Sequence, residues 1–477
     1  MFLSKIDGYI VFAIFALSNI FITCIFNVKN FNIDTFLVAN RSVPWIFNGL
    51  SIAATWIWGP ALFLSSSQAF TSGYVGVFWF LLPNFTCFYI YIFFAQKFKN
   101  YLPYGYTLAE FMRKKYKNNT TVHFTYILLI LLCQITALVL NSVIGAKLIS
   151  MLTGINTNVV ILLIIAITTA YSLISGFQAS IITDCFEMII IYAFIIIIIP
   201  IAIYKTGGIE TIRNNIGGLH NNINLLDINT IKYFAIPSFI TLWTGPITDQ
   251  MFFQRVMGSN KNNVTKSFLS ASLMYIIVPF ALSLLGYIGV ELFRSGKILL
   301  NDEQLIGGIV ISSLFEKFVI SFYCITILAG LCSTIDSALC ATCSIGYVDI
   351  YETYLKKNKK LSAINISRLF IISIAIISTI IAFLKPNLKA MFFIIGTIRA
   401  AGFFPTILTL FGKLSLPIAI PFAIGSAIFL SLPLSIYSNL HNIEDLVIIS
   451  SLSALIFPLI IFYVGYIINK RIRRLQE

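Results

Sequence analysis

Long apolar runs, repeated from one end of the chain to the other, decide what this sequence can fold into. A bilayer core about 30 Å thick needs roughly 20 apolar residues per helix. On that basis about thirteen runs stand out, near 7–27, 43–70, 73–96, 121–152, 157–175, 177–204, 231–255, 267–291, 307–345, 364–384, 388–411, 416–436 and 444–468. The long second, fourth and ninth runs include tilted or interfacial ends. Membrane β-strands read instead as alternating segments of about ten residues, whereas these runs are continuous. The expected fold is an all-α integral membrane protein. Composition agrees: 58% of the 477 residues are hydrophobic and only 10% charged, against roughly 25% charged in a soluble domain. Nucleic-acid binding, secretion and cytosolic catalysis are set aside on that ground. The first run lacks a small-residue cleavage site and is followed by Lys29, Arg41 and a second run, so it reads as a true membrane helix.

The formal net charge of +14 resolves into short basic clusters between runs: Arg113, Lys114, Lys115 and Lys117; Lys356, Lys357, Lys359 and Lys360; Lys470, Arg471, Arg473 and Arg474. Such clusters mark cytoplasmic loops, and their placement favours an N-terminus outside and a C-terminus inside. The polar segments near 205–230 and 292–306 then lie outside as ordered lids. No GxxxxGK[ST] phosphate loop occurs and no soluble domain follows the last run, so transport driven by ATP hydrolysis in this chain is not expected. All eight cysteines fall in apolar runs, the Cys340/Cys343 pair included, and His123, His220 and His441 are scattered. No metal centre, cofactor or membrane-embedded enzyme is expected.

Two runs carry an interruption. The second reads Ser51-Ile-Ala53-Ala-Thr55-Trp56-Ile-Trp58-Gly59-Pro60, and the seventh Thr241-Leu-Trp243-Thr244-Gly245-Pro246-Ile-Thr-Asp249-Gln250. Proline removes an amide donor and glycine permits unusual dihedrals. Unwound backbone at membrane depth is tolerated only where it is buried in protein or lines a cavity. Two such breaks, five runs apart, are the sequence mark of an inverted-repeat transporter. In the ninth run, Gly330, Ser333, Thr334 and Ser337 share one helical face. Hydroxyls facing the free carbonyls of a broken helix supply the neutral, hard oxygen ligands that a dehydrated Na⁺ requires. Asp336 on the same run, and Asp184 early in the sixth, demand a cation, a proton or a basic partner at membrane depth. Glu187 lies one turn beyond Asp184, and Arg399 in the eleventh run reads as a buried counter-ion. Trp56, Trp58, Trp79 and Trp243, with Thr55, Gly59, Pro60, Thr244, Gly245 and Pro246, are the candidate lining of a tight solute cavity.

These residues resemble the sodium:solute symporter family, which includes proline, sugar, sialic acid and urea symporters. The likeness runs from about residue 30 to 415. It rests on Phe36-Leu-Val-Ala-Asn40-Arg41-Ser42-Val-Pro44 before the first break and on Tyr106-Thr107-Leu-Ala-Glu110-Phe111-Met-Arg113, similar to the family's YTLPEF-type stretch. It rests further on Tyr171 through Gly176 with Ala179, Thr183 and Asp184; on Asp249-Gln250 with Gln254-Arg255; and on Ser333-Thr334, Asp336-Ser337 and Asp349-Ile350-Tyr351.

The resemblance implies a LeuT-type core of two inverted five-helix repeats: an extra helix and loop at 1–42, repeats at 43–204 and 231–412, an external loop at 205–230, and two helices with a basic tail at 413–477. It implies a sodium site made of the Ala53, Trp56 and Gly330 carbonyls and the Ser333 and Thr334 hydroxyls, and in some members a further cation site, here Asp184, Ser333, Ser337 and the Asp336 position. Members with that further site often carry serine where Asp336 stands, which leaves a second Na⁺, a proton or neither open. Gly245-Pro246 replaces the aromatic pair of sugar-transporting members, and Trp56-x-Trp58 is similar to the urea-transporting branch. The expected function is sodium-coupled symport of a small urea- or amino-acid-like solute across the cytoplasmic membrane, with Na⁺, the solute and the bilayer as partners. The alternatives are a proton-coupled carrier on the same scaffold and a non-concentrative channel or sensor.

Overall fold

A computed structural model describes residues 3–26, 32–300, 302–355, 362–441 and 443–476. Lys29 and the basic cluster at 356–360 lie outside the described residues. The main helices are α1 Lys5–Ile25, α2 Trp45–Trp56, α3 Gly59–Tyr101, α4 Thr120–Thr153, α5 Thr157–Ser175, α6 Phe177–Lys205, α7 Ile236–Thr248 and α8 Gln250–Gly258. They continue as α9 Val264–Arg294, α10 Lys317–Ser344, α11 Ala363–Ala382, α12 Leu388–Leu410, α13 Ala419–Leu440 and α14 Glu444–Gln476. Among the described residues eleven helices are long and apolar enough to cross a membrane.

Helix ends follow from local chemistry. Asn119, Asn156 and Asn387 accept backbone N–H bonds at the starts of α4, α5 and α12, which satisfies donors that the first turn leaves free. The 34 residues of α4 extend about 51 Å at 1.5 Å each, so this helix must tilt to fit the bilayer. The ninth run divides: Ile306–Leu314 is a separate short helix, and Phe315, extended at φ −130° and ψ 159°, turns the chain into α10.

Most helices are apolar all round, so what distinguishes their faces is burial. On α6, Met188, Ile191 and Phe194 are buried, whereas Ile189 and Ile196 are 64% and 68% exposed and face where lipid would lie. The interior is also the polar part of the molecule, since Arg255 and Arg399 rank with Trp56 and Trp58 among the largest fully buried side chains. Helix α2 packs against α6, α9 and α10, while α7 packs against α3 and α12. These contacts bring both interrupted segments into one core.

The second run supplies α2 and the start of α3 and the third run the rest of α3, which is two helices joined at a break at Gly73 (φ 62°, ψ −151°). The 205–230 segment docks there: Leu219 N–H donates to the Phe70 carbonyl at 2.7 Å, and Tyr74 N–H to the Ile216 carbonyl at 2.8 Å. A Cβ on Gly73 would stand 2.3 Å from the Gly217 carbonyl carbon and 2.4 Å from the Ile216 oxygen. Gly73→Ala is therefore expected to cost about 1–3 kcal/mol and to loosen the docked segment. The readouts are a lower melting temperature and faster proteolysis within 205–230; unchanged melting and cleavage would disprove the docking.

Candidate functional site

The first interruption comes just before the Gly-Pro step. Helix α2 ends at Trp56; Ile57 (φ −81°, ψ 67°) and Trp58 (φ −95°, ψ −178°) leave the helical region, and Gly59-Pro60 opens α3. Proline suits a first helical turn because its missing donor is not needed there. The free Gly59 N–H is taken by Asn141 Oδ1 of α4 at 2.7 Å. In the seventh run the expected position of the break is corrected by three residues. Helix α7 passes through Thr244, Gly245 and Pro246 to Thr248, and the extended residue is Asp249 (φ −100°, ψ 124°). Asp249 makes the break because its side chain supplies the cap of α8: Oδ1 accepts from Met251 N–H at 3.1 Å and from Gln134 Nε2 at 2.8 Å.

The expected sodium ligands meet across the seam between α2 and α10. Ser333 Oγ donates to the Ala54 carbonyl at 2.8 Å and Thr334 Oγ1 to the Thr55 carbonyl at 3.0 Å, the two residues between Ala53 and Trp56. Gly330 lets the backbones approach, since a Cβ there would lie 3.2 Å from the Ile57 carbonyl oxygen. Ala53, Trp56, Gly330, Ser333 and Thr334 are all buried, but the α10 hydroxyls reach the carbonyls of Ala54 and Thr55, and the Ala53 carbonyl accepts from Ile57 N–H at 3.0 Å.

Asp184, Asp336 and Ser337 also come together, around a residue that had no assigned role. Arg255 Nη2 lies 2.9 Å from Asp184 Oδ2 and 2.7 Å from Ser337 Oγ, and its Nε donates to Ser51 Oγ at 3.1 Å. Ser51 Oγ in turn donates to Asp184 Oδ2 at 2.5 Å. Asp336 is held by hydroxyls alone, accepting from Ser180 at 3.1 Å and from Thr183 and Ser337 at 3.2 Å. Neither Glu187 oxygen has a hydrogen-bond partner among the described residues, though the residue is fully buried. The cluster thus holds three carboxylates and one guanidinium. Arg255 ends the seventh run, and so reads in sequence as an interfacial residue; Asp249 turns the chain and carries it inward.

The tryptophans divide. Trp56 and Trp58 stack at 5.9 Å between ring centroids, with Phe88, Phe252 and Phe392 around them. The Arg399 guanidinium lies 5.6 Å from Trp56 and 5.1 Å from Trp58, and its Nη2 pairs with Asp249 Oδ2 at 2.6 Å. Trp79 and Trp243 instead pack on Phe239 and donate to the Leu225 carbonyl and Thr86 Oγ1. Thr55 points away from the tryptophans, with its hydroxyl 3.0 Å from Ser337 Oγ. Sequence reading missed Gln134 and Asn141. Both are amides inside a membrane run, and that alone is a usable signal.

One end of the bundle opens into a cavity of about 940 Å³ between the 220s segment, α3 and α12, with Leu64 and Phe393 in its lining. The other end is stapled. Gln250 accepts from Leu108 N–H at 2.9 Å and donates to the Tyr106 carbonyl at 2.8 Å, while Gln254 donates to the Leu37 carbonyl at 2.6 Å. His123 bridges Asp349 and Tyr354 at 2.8 Å each. Outside the helices, Tyr106 donates to Asp34; burial, reinforced by that carboxylate, pushes its phenol up to about 12, so it remains a donor. Of the motif residues, Tyr106, Leu108, Gln250 and Gln254 are thus parts of one closure.

Two interrupted helices crossing in a buried polar core, with a vestibule at one end and a closure at the other, define a secondary transporter of LeuT type. A Na⁺-coupled sialic acid symporter, solved substrate-bound and outward-open, shares this fold with a TM-score of 0.74 at 17% identity over 96% of this chain and 98% of that one. The family model for the sodium:solute symporter family matches residues 36–413, and the chain belongs to that family. Relatives include the osmoregulated proline transporter OpuE of Bacillus subtilis (strain 168), 24% identical over 59% of this chain and 57% of OpuE. The probable urea active transporter 1 of Schizosaccharomyces pombe (strain 972 / ATCC 24843) is 20% identical over 69% of this chain and 53% of the relative. The chain spans little more than half the length of these curated relatives.

Breaking one side of the buried pair should show in stability. Asp184→Asn leaves Arg255 charged and unpaired, an effect of about 3–5 kcal/mol. The double variant Asp184→Asn/Arg255→Gln is expected to melt well above the single one. Equal melting temperatures would rule out the pairing.

Proposed function

We propose that the chain is a sodium-coupled symporter that carries a small organic solute, urea- or amino-acid-like, inward across the cytoplasmic membrane by alternating access. The observation that carries it is the seam: two buried hydroxyls of α10 set 2.8 and 3.0 Å from carbonyls of the broken helix. With Na⁺ present, these hydroxyls turn their lone pairs to the ion and its charge replaces the hydrogen bonds. The ion then bridges α2 and α10 and favours the state open at the vestibule. The basic clusters favour a vestibule facing outward and a stapled end facing the cytoplasm, with the N-terminus outside. The membrane field contributes about 2.3 kcal/mol per charge per 100 mV, so each Na⁺ carried inward drives accumulation. No cofactor besides the coupling ion is required. The proline- and urea-transporting relatives support a compact, nitrogen-bearing solute.

A proton-coupled carrier is the second reading. It is favoured by Glu187 and Asp336, carboxylates buried with at most hydroxyl partners and outnumbering the single guanidinium beside them. Uptake into proteoliposomes of labelled proline and urea, under an inward Na⁺ gradient or an inward H⁺ gradient, decides between the two. Accumulation is expected with the Na⁺ gradient. Accumulation with the H⁺ gradient alone would replace sodium by protons, and equilibration without accumulation would point to a channel. Ser333→Ala with Thr334→Ala is expected to raise the half-saturating Na⁺ concentration by at least about tenfold, or 1.4 kcal/mol, with a smaller effect on solute. Unchanged sodium dependence would remove these residues from the site.

A further inference from the structure

A groove of about 550 Å³ lies on the flank of the bundle, where the end of α1 meets the starts of α2 and α6. Ile22 and Phe26 of α1, Phe47 of α2, and Ile182, Cys185 and Ile189 of α6 are in its lining. The three α6 residues recur every three or four positions, so they form one stripe along that helix. Phe26, Phe47 and Ile189 are exposed, and Ile189 belongs to the lipid-facing side of α6. The groove is therefore continuous with the surface that meets the membrane, where lipid tails are as apolar as the side chains they touch.

One end of the groove is polar. Asn40 and Ser42 line it together with Gln178, and Ala39 and Val43 pack on Phe177 and Ile181, which sets this end at the start of α6. Ala39, Asn40 and Arg41 are left-handed in succession, at φ 46°, 53° and 58°, a region that side chains other than glycine avoid. Arg41 pins the turn by donating to the Gly105 and Tyr104 carbonyls at 2.7 and 3.0 Å. Asn40 Oδ1 accepts from Thr35 Oγ1 at 3.1 Å, which leaves its Nδ2 to donate to a ligand. From Gln178 to Ile189 the helix rises about 16 Å at 1.5 Å per residue, against about 15 Å for half of a 30 Å hydrocarbon core. The groove thus has a polar mouth and an apolar slot one leaflet deep. A fatty acid would bring a carboxylate that needs a cation, but Arg41, the cation of this turn, already serves two carbonyls and lies 3.8 Å from Asp34. The ester and phosphate oxygens of a glycerophospholipid need only neutral donors.

We infer that this groove is a lipid site, which holds one acyl chain of a glycerophospholipid from the leaflet at the stapled end. The chain lies as a wedge between the start of α2 and α6. Cys185 Sγ is 3.7 Å from the Phe47 carbonyl, and one turn beyond Phe47 the Ser51 hydroxyl bonds Asp184. The lipid therefore braces the first interrupted helix against the helix that carries the carboxylate cluster, whatever ion or solute the protein moves.

The test uses the full-length protein in vesicles of phosphatidylethanolamine and phosphatidylglycerol, doped with a phosphatidylethanolamine that carries a diazirine midway along one chain. After photolysis and peptide mapping, labelling of residues 181–189 is expected to exceed that of residues 196–201, the lipid-facing part of α6 in the other leaflet, by about tenfold, the ratio that 1.4 kcal/mol of preference gives. Even labelling along α6 would make the lipid an ordinary neighbour and overturn the site. The double variant Ile182→Trp/Cys185→Trp fills the slot and is expected to bring the two stretches level, whereas Ile196→Trp, on the same helix outside the groove, leaves the contrast intact. Native mass spectrometry of the purified proteins is expected to find one phospholipid retained by the wild type and by Ile196→Trp and none by the double variant. Retention by the double variant overturns the inference. So does stronger competition by a free fatty acid than by a lysophosphatidylethanolamine of equal chain length, or the loss of a dimer in place of a lipid, which would assign the groove to a second copy of the chain. The wild-type contrast needs no variant, so it decides the matter even where the double variant fails to fold.

Discussion

The seam between α2 and α10 exists because a membrane interior contains no water to complete a broken helix. Where α2 stops at Trp56, its last carbonyls must find donors within the protein, and Ser333 and Thr334 provide them. The break therefore cannot be separated from the hydroxyl face of α10, nor that face from the small residue at Gly330 that lets the helices approach. The same requirement explains why side chains attend both interruptions: Asn141 of α4 accepts the Gly59 N–H, and Asp249 caps α8 while Gln134 of α4 donates to its carboxylate.

Helix α8 is pinned at each end by an ion pair. Asp249 at its start binds Arg399 of α12, and Arg255 near its end binds Asp184 of α6. Buried ion pairs contribute little net stability against apolar replacements; what they supply here is register. Between them Gln250 and Gln254 fasten the same short helix to the backbone near residues 37 and 106–108. One nine-residue element thereby meets Trp56 through Phe252, the carboxylate cluster through Arg255 and the stapled end through its two glutamines.

The apolar runs were enough to reveal the all-helical membrane fold, and the Gly-Pro steps marked both interruptions to within three residues. Asp249 makes the second break through a cap, which depends on partners distant in sequence that no local pattern reveals. That the end of the first broken helix faces the hydroxyls of Ser333 and Thr334 was legible because a short motif and one helical face carry it, although the carbonyls they meet are those of Ala54 and Thr55. The partner of Asp184 was not. Arg255 closes an apolar run and so resembles an interfacial charge, until the chain turn at Asp249 moves it to the centre. Trp79 and Trp243 show a matching difficulty: an aromatic residue on an all-apolar helix gives no sign of which neighbour it meets, and these two join Phe239 rather than Trp56.

Helix α4 carries a consequence of its own. Asn141 holds the first amide of α3, and Gln134 holds Asp249 at the other interruption. Seven residues of helix separate the two amides, close to two full turns and roughly 10 Å along one side. They act like two pegs on a single rail, each gripping the loose end of a different half-helix. Neither half-helix can slide without either tugging the rail or slipping off its peg. Both interruptions, though far apart in sequence, therefore press on the same mechanical part.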